Sequence, residues 1–233
     1  MLEETYRELW KRGQTIFDKT VQGRIVSEKE FEQKELLMYS FRVDNFEDLE
    51  SMLFFAKERF KKEHLTIEVA KEWLNDMINN ETLHENWWDK TEYTQNYFKK
   101  FCDEGNGNAS YSYGERLIPQ IKFLIKRIKD NKYGRGCSLS MTNIEDISKI
   151  GHRVPCSLTY NFICRPTLQG DKLNLIVYMR SSDSINFFPL DFARSVLFLK
   201  HIAKEVNLEP GFVSMSITSL HAYKCDIPSE FTW

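Results

Sequence analysis

The sequence predicts an α+β fold. Amphipathic helical patterns gather in its amino-terminal half, strand-like alternation gathers in its carboxy-terminal half, and no strand–helix–strand unit repeats between them. The 233 residues, 42% hydrophobic and 28% charged, have globular proportions and suffice for one substantial core. No linker divides the chain, so a single domain is expected.

Leu2 to Lys11 places Tyr6, Leu9 and Trp10 on one side of a short helix that Gly13 would end. Glu35 to Val43 is mostly apolar and aromatic, which suits a strand buried on at least one face. Glu47 to Lys62 and Thr66 to Asn79 read as charged amphipathic helices. Tyr93 to Phe101 reads as another, closed by the turn-forming run Glu104-Gly-Asn-Gly-Asn108. Ile118, Ile121, Leu124, Ile125 and Ile128 recur at helical spacing, with Pro119 expected in the first turn. Ser157 to Cys164 and Leu173 to Met179 are strand-like and joined by Gln169-Gly-Asp-Lys172, a hairpin signal. Phe192 to Val206 is the longest apolar helix, and Phe212 to Leu220 alternates as a last strand.

Composition excludes several function classes. With 34 acidic against 32 basic residues there is no positive excess to coat a nucleic-acid backbone, so no nucleic-acid partner is expected. No apolar run approaches the ~18 residues of a membrane span, and the charged amino terminus lacks a secretory h-region, so a cytoplasmic protein is expected. The five cysteines, Cys102, Cys137, Cys156, Cys164 and Cys225, are odd in number and contain no Cys-x-x-Cys pair. That pattern points to neither a disulfide framework nor a zinc site and leaves reduced thiols, any of which is a candidate nucleophile. There is no glycine-rich phosphate loop, no His-Glu-x-x-His and no internal repeat, and no metal is expected.

Four motifs stand in one order: Tyr111-Ser-Tyr-Gly-Glu-Arg-Leu117, Arg153-Val-Pro-Cys156, the run from Tyr178-Met-Arg-Ser-Ser-Asp183 to Pro189-Leu-Asp191, and Ser219-Leu-His-Ala-Tyr223. Together they resemble the thymidylate synthase and deoxycytidylate hydroxymethylase superfamily, and the Tyr-Gly-Glu-Arg-Leu form looks most like its short archaeal-type members. The resemblance covers roughly residues 110 to 225. It implies a mixed β-sheet packed with helices across 1–233, with 1–110 mostly helical and the catalytic motifs within 111–225.

The resemblance also implies roles. Cys156 matches the nucleophile that adds to carbon 6 of a pyrimidine, turning carbon 5 into an enolate-like nucleophile; the thiolate is the reactive form. The plain alternative is an inert strand cysteine. Tyr113 matches the tyrosine that helps remove the carbon-5 proton through water, and Asp183 the residue that anchors the ring. Arg180 and Ser181 match a phosphate-binding pair, for which a guanidinium fork is suited in charge and geometry. Arg135, in Tyr133-Gly-Arg-Gly136, matches one of two arginines that reach a partner's phosphate site in a homodimer; Gly136 replaces the other. Lys19 matches weakly an amino-terminal phosphate-loop arginine and reads equally as a surface lysine. His221 and Tyr223, on one face of a strand, match the pair that bonds the sugar 3'-hydroxyl; a structural pair at a sheet edge is the alternative.

Asp191 decides the base. The family's synthases carry asparagine there, whose amide donates to oxygen 4 and accepts from nitrogen 3 of uracil, whereas the hydroxymethylases carry aspartate. An ionised carboxylate only accepts, which suits the amino group and protonated nitrogen 3 of cytosine and repels the oxygen of uracil. Asp191 also reads as a helix N-cap ahead of Phe192. The expected substrate is therefore a cytosine nucleoside monophosphate, dCMP ahead of CMP, and the expected cosubstrate is 5,10-methylenetetrahydrofolate. Water as the final acceptor gives hydroxymethyl; hydride gives methyl. Trp87 and Trp88 are candidates for the folate wall or for core anchors. Phe187 stands where the family has a small residue, Glu68 and Glu72 are open candidates for a water-ordering glutamate, and the segment after Tyr223 is short for one that closes over folate. A thymidylate synthase acting on dUMP and a catalytically weakened regulatory nucleotide binder stay as alternatives.

Overall fold

The computed structural model describes residues 1–17, 20–21, 24–25, 32–46, 48–79, 113–144, 146 and 154–227. The expected helix at Tyr93 to Phe101, the turn at Glu104 to Asn108, and Lys19, Trp87, Trp88 and Cys102 lie outside the described residues.

The first helix, α1 (Leu2–Arg12), turns Leu2, Thr5, Tyr6 and Leu9 inward, with Glu3 and Glu4 at its start and Lys11 and Arg12 at its end, as the helix dipole favours. The chain leaves the helix at Gly13, which is extended (φ −64°, ψ 141°), and a side chain there would not fit, since a Cβ would lie 2.4 Å from the Leu9 carbonyl oxygen. Strand β1 (Gln14–Phe17), the short pair β2 (Thr20–Val21) and β3 (Arg24–Ile25), and the long strand β4 (Glu32–Val43) follow. Helix α2 (Leu49–Phe60) is capped by Asp48, whose carboxylate accepts the Ser51 N–H. Helices α3 (Ile67–Asn79) and α4 (Tyr113–Asp130) precede β5 (Ser138–Ser140). The carboxy-terminal part is β6 (Ser157–Thr167), β7 (Gly170–Asp183), α5 (Phe188–Glu205), β8 (Glu209–Tyr223) and a 3₁₀ turn, η1 (Lys224–Asp226).

Six strands form one mixed sheet in the order β1-β4-β8-β7-β6-β5. All pairings are antiparallel except β7 with β8, which α5 joins by a crossover, as parallel neighbours require. The α+β expectation holds. The division into a helical first half and a stranded second half is looser than expected, because β1 and β4 join the same sheet beside β8. The β6–β7 hairpin turns at Gly170, whose φ of 110° lies in the region that favours glycine.

Two helices start earlier than their apolar spacing predicts. α4 takes in Tyr113-Gly-Glu-Arg-Leu117 because Gly114 and Leu117 continue the buried stripe of Ile121, Leu124 and Ile128. Pro119 consequently sits inside the helix rather than in its first turn. α5 begins at Phe188 with Pro189 just behind, a position that tolerates proline's missing N–H. Asp191 therefore lies within the first turn and is not the N-cap, which is Phe187.

The core lies between the sheet and these helices. α5 is buried almost all round, the pattern of a helix enclosed on every side. Phe198 meets Tyr160 and Phe162 of β6 edge-on at 5.5 and 5.4 Å, and Phe41 of β4 meets Phe188 at 5.5 Å. Each such side chain contributes about 1.5–3 kcal/mol on burial. On β8, Val213, Met215 and Ile217 are buried while Ser214 and Ser216 are only partly covered, so one face of the sheet carries the core. Among the described residues no helix is long and apolar enough to cross a membrane.

Candidate active site

Cys156 sits at the entry to β6, directly opposite β7. The Arg180 N–H donates to the Cys156 carbonyl at 2.8 Å, and a register shift between Ser157 and Thr159 turns the strand there. Antiparallel pairing thus brings together two motifs separated by more than twenty residues. Arg180 Nη2 lies 3.7 Å and Ser181 Oγ 3.9 Å from the Cys156 sulfur, which is partly exposed.

The Arg180 guanidinium is also folded onto the chain. Its Nε donates to the carbonyls of Val154 and Pro155 at 3.1 Å, Nη2 donates to Val154 O at 2.8 Å, and Nη1 donates to Ser181 Oγ at 3.0 Å. One consequence is that Arg180 holds the 154–156 segment in shape whatever else it binds.

Behind the sulfur lies a second, buried group. The Ser157 N–H donates to the Tyr113 hydroxyl at 3.2 Å. Burial, reinforced by Cys156 and opposed by Arg194, pushes that hydroxyl up to about 12, so Tyr113 keeps its proton near neutrality. Arg194 stands 5.0 Å over the Tyr113 ring and 5.7 Å over that of Trp73. Its Nη2 donates to Asp191 Oδ1 at 2.9 Å and reaches Ser157 Oγ at 3.5 Å. Asp191 Oδ2 accepts from Ser182 Oγ at 2.9 Å. Cys156 and Asp191 are therefore joined through Ser157, Tyr113 and Arg194 in one network. Burial pushes the Asp191 carboxyl up, with Arg194 and Ser182 pulling the other way.

Asp183 organises a turn. Its Oδ1 accepts the N–H groups of Ile185 and Asn186 at 3.0 Å, and Oδ2 accepts from Asn186 Nδ2 at 2.8 Å. Burial first, and then the Asp226 charge, push it up. Asn186 Nδ2 also donates to Asp226 at 2.9 Å, and Asp226 pairs with Lys62 at 2.7 Å. His64 Nε2 contacts Asn186 O at 2.8 Å. Burial lowers the His64 ring to about 4, the Asn186 carbonyl opposing and Lys62 assisting. Between pH 6.5 and about 4 the unfolded chain binds a proton that the native ring refuses, so stability falls as pH drops through that window. The loss amounts to about 3 kcal/mol. Denaturant titrations across pH 7 to 4 should show this slope in the wild-type protein and a flatter one in His64→Gln.

His221 and Tyr223 alternate with buried Ala222 on β8, their rings 5.3 Å apart. His221 pairs in register with Asp183 of β7, and its Nδ1 is buried without a hydrogen-bond partner. Arg135 is exposed on the connection from α4 to β5. Glu68 and Glu72 are exposed on α3, outside its buried stripe of Ala70, Trp73 and Met77. Phe187, partly exposed, stacks on Trp73 with centroids 6.1 Å apart and 29° between planes. A groove of about 560 Å³ lies elsewhere, between α4 and residues 136–138, and holds none of these groups.

The sequence reading missed Arg194, Trp73 and Ser182. Arg194 had a signal: with Asp191 it forms an acid–base pair three residues apart inside the most apolar helix, where charges are rare unless paired.

The family profile described as thymidylate synthase matches residues 29–229. The chain belongs to the thymidylate synthase family. It is 28% identical over 145 residues to the thymidylate synthase of Mycoplasma genitalium, covering 62% of this chain and 48% of that protein. It is 26% identical over 160 residues to a putative thymidylate synthase of Methanococcoides burtonii, covering 66% and 71%. It is also 29% identical over 130 residues to the thymidylate synthase of Saccharomyces cerevisiae, covering 54% and 40%. The match to the mycoplasma relative thus spans about half of that protein's length.

Proposed function

We propose that this thymidylate synthase family member is a one-carbon transferase that hydroxymethylates carbon 5 of a cytosine nucleotide, dCMP ahead of CMP. The observation that carries the base assignment is the buried Asp191 carboxylate, ion-paired with Arg194 in the network that reaches Cys156. A carboxylate accepts two N–H donors, and cytosine protonated at nitrogen 3 presents two; uracil presents one donor beside a carbonyl oxygen.

In this reading the Cys156 thiolate adds to carbon 6, with Arg180 and Ser181 beside the sulfur. Addition makes carbon 5 nucleophilic. Tyr113, protonated near neutrality, orders the water that takes the carbon-5 proton. The bond from the carbon unit to the folate nitrogen then breaks and tetrahydrofolate leaves, hydroxide from water adds to the exocyclic methylene so formed, and expulsion of the Cys156 thiolate restores the carbon 5–carbon 6 double bond. 5,10-Methylenetetrahydrofolate supplies the carbon unit when bound, and Trp87 and Trp88 are the residues expected to form a wall for it. Arg180 and Ser181 also contact the phosphate, His221 and Tyr223 the sugar hydroxyl, and Asp183 shapes the turn beneath the ring. The enzyme works in the cytoplasm as a homodimer in which Arg135 reaches the partner's phosphate site.

A second reading, methylation of dUMP, is favoured by the names of the relatives and by the burial that pushes Asp191 toward its neutral form. A neutral acid donates and accepts as an asparagine amide does. Incubation with dCMP, CMP or dUMP plus methylenetetrahydrofolate separates the two. Hydroxymethylcytosine nucleotide is the expected product; thymidylate with release of dihydrofolate supports the second reading and overturns the first.

A further inference from the structure

We propose that Arg194 is the specificity-setting positioning residue of this site: its guanidinium fixes Asp191 as a two-acceptor carboxylate, and so makes the site prefer cytosine over uracil. The inference rests on the cytosine reading above and adds to it the residue that enforces it.

The geometry is built for this. Asp191 is 7% and Arg194 5% exposed, so neither charge is relieved by water. The pair lies one helical turn apart on α5, with Nη2 to Oδ1 at 2.9 Å, while Ser182 of β7 donates to the other oxygen at 2.9 Å. The Asp191 backbone is itself pinned, its N–H to Phe187 O at 2.8 Å and its carbonyl by Ser195 Oγ at 2.7 Å. Arg194 is held from three further elements: by the ring of Tyr113 on α4, by that of Trp73 on α3, and by Ser157 Oγ at 3.5 Å beside Cys156. Among the described residues the other titratable groups facing the pair are Asp183, Tyr113, Tyr160 and Cys156, and Arg194 is the cation acting on Asp191.

Fold stability alone does not explain the pair. A buried ion pair is often no better than well-packed apolar residues of similar volume, and Arg194 Nε is left without a hydrogen-bond partner, which adds to the cost. What the pair does supply is a defined protonation state. Without a counter-charge a buried carboxyl goes neutral, and a neutral acid offers one donor and one acceptor, a pattern that serves uracil as well as cytosine. Removing the guanidinium should therefore relax discrimination.

The test is nucleotide binding by calorimetry in a Cys156→Ala background, with dCMP and dUMP at several pH values from 6 to 9. With Arg194 intact, dCMP should bind at least about tenfold tighter than dUMP. Arg194→Gln should lower that ratio about tenfold at pH 7 and recover it as pH rises and Asp191 ionises. Arg194→Lys, which keeps the charge, should restore the preference. An Arg194→Gln ratio unchanged at every pH, with both nucleotides weakened alike, overturns the inference and leaves the cytosine reading standing. Absence of cytosine preference with Arg194 intact overturns both. Should Arg194→Gln fail to fold, carboxyl carbon-13 NMR of the otherwise native chain, assigned with Asp191→Asn, decides: a carboxylate at pH 7 is expected, and a neutral acid contradicts the proposal.

Discussion

Cys156→Ala is expected to lower kcat by a factor on the order of 10⁴ or more while nucleotide binding changes little. The sulfur is partly exposed and its contacts, Arg180 Nη2 at 3.7 Å and Ser181 Oγ at 3.9 Å, are long. Its removal therefore takes away little packing. The hydrogen bonds that shape the loop run from Arg180 to the carbonyls of Val154 and Pro155 and survive the substitution. Steady-state kinetics with calorimetric binding separates the two effects. Turnover that persists within tenfold of wild type would remove covalent catalysis from the account.

Asp191→Asn should move base preference from cytosine toward uracil by about 10²-fold. An amide in that position still accepts with its oxygen but adds a donor. Each mismatched or newly matched polar contact in a buried site is worth about 1–3 kcal/mol, and the substitution changes one contact for each base in opposite directions. The same change leaves Arg194 without its counter-ion in the core, so a stability loss of up to about 3–5 kcal/mol should accompany it. Comparing kcat/KM for dCMP and dUMP within one protein cancels that loss. A ratio unmoved by the substitution would show that Asp191 does not read the base.

Much of the fold was legible because its signals are local. Leu9 and Gly13 marked α1, the β6–β7 hairpin followed from Gly170, and Phe198 belonged to an obvious apolar helix. Helix starts were less legible. Pro119 was expected in a first turn, whereas it is carried inside α4 by a buried stripe that begins before it. The place of β4 beside β8 was invisible, since pairing over nearly two hundred residues leaves no periodic trace.

The site divides in the same way. Cys156, Arg180, Ser181 and Asp191 stood in motifs, but what surrounds them did not. Arg194, Ser182 and Trp73 come from three elements and meet only in the folded chain. The Asp183 carboxylate accepts from Ile185 and Asn186, donors that a buried acid needs nearby and that its motif does not announce. The turn it ties continues to Lys62, His64 and Asp226, a polar cluster that no sequence spacing announces.

The central claim is that Cys156 adds to carbon 6 of a cytosine ring, and its direct consequence is that the carbon-5 hydrogen becomes exchangeable with water. Proton NMR of dCMP and dUMP incubated with the enzyme in deuterium oxide reads this step alone. Loss of the carbon-5 signal from dCMP, faster than from dUMP and absent with Cys156→Ala, is the result expected. Exchange that continues without the sulfur, or that is confined to dUMP, would contradict the account.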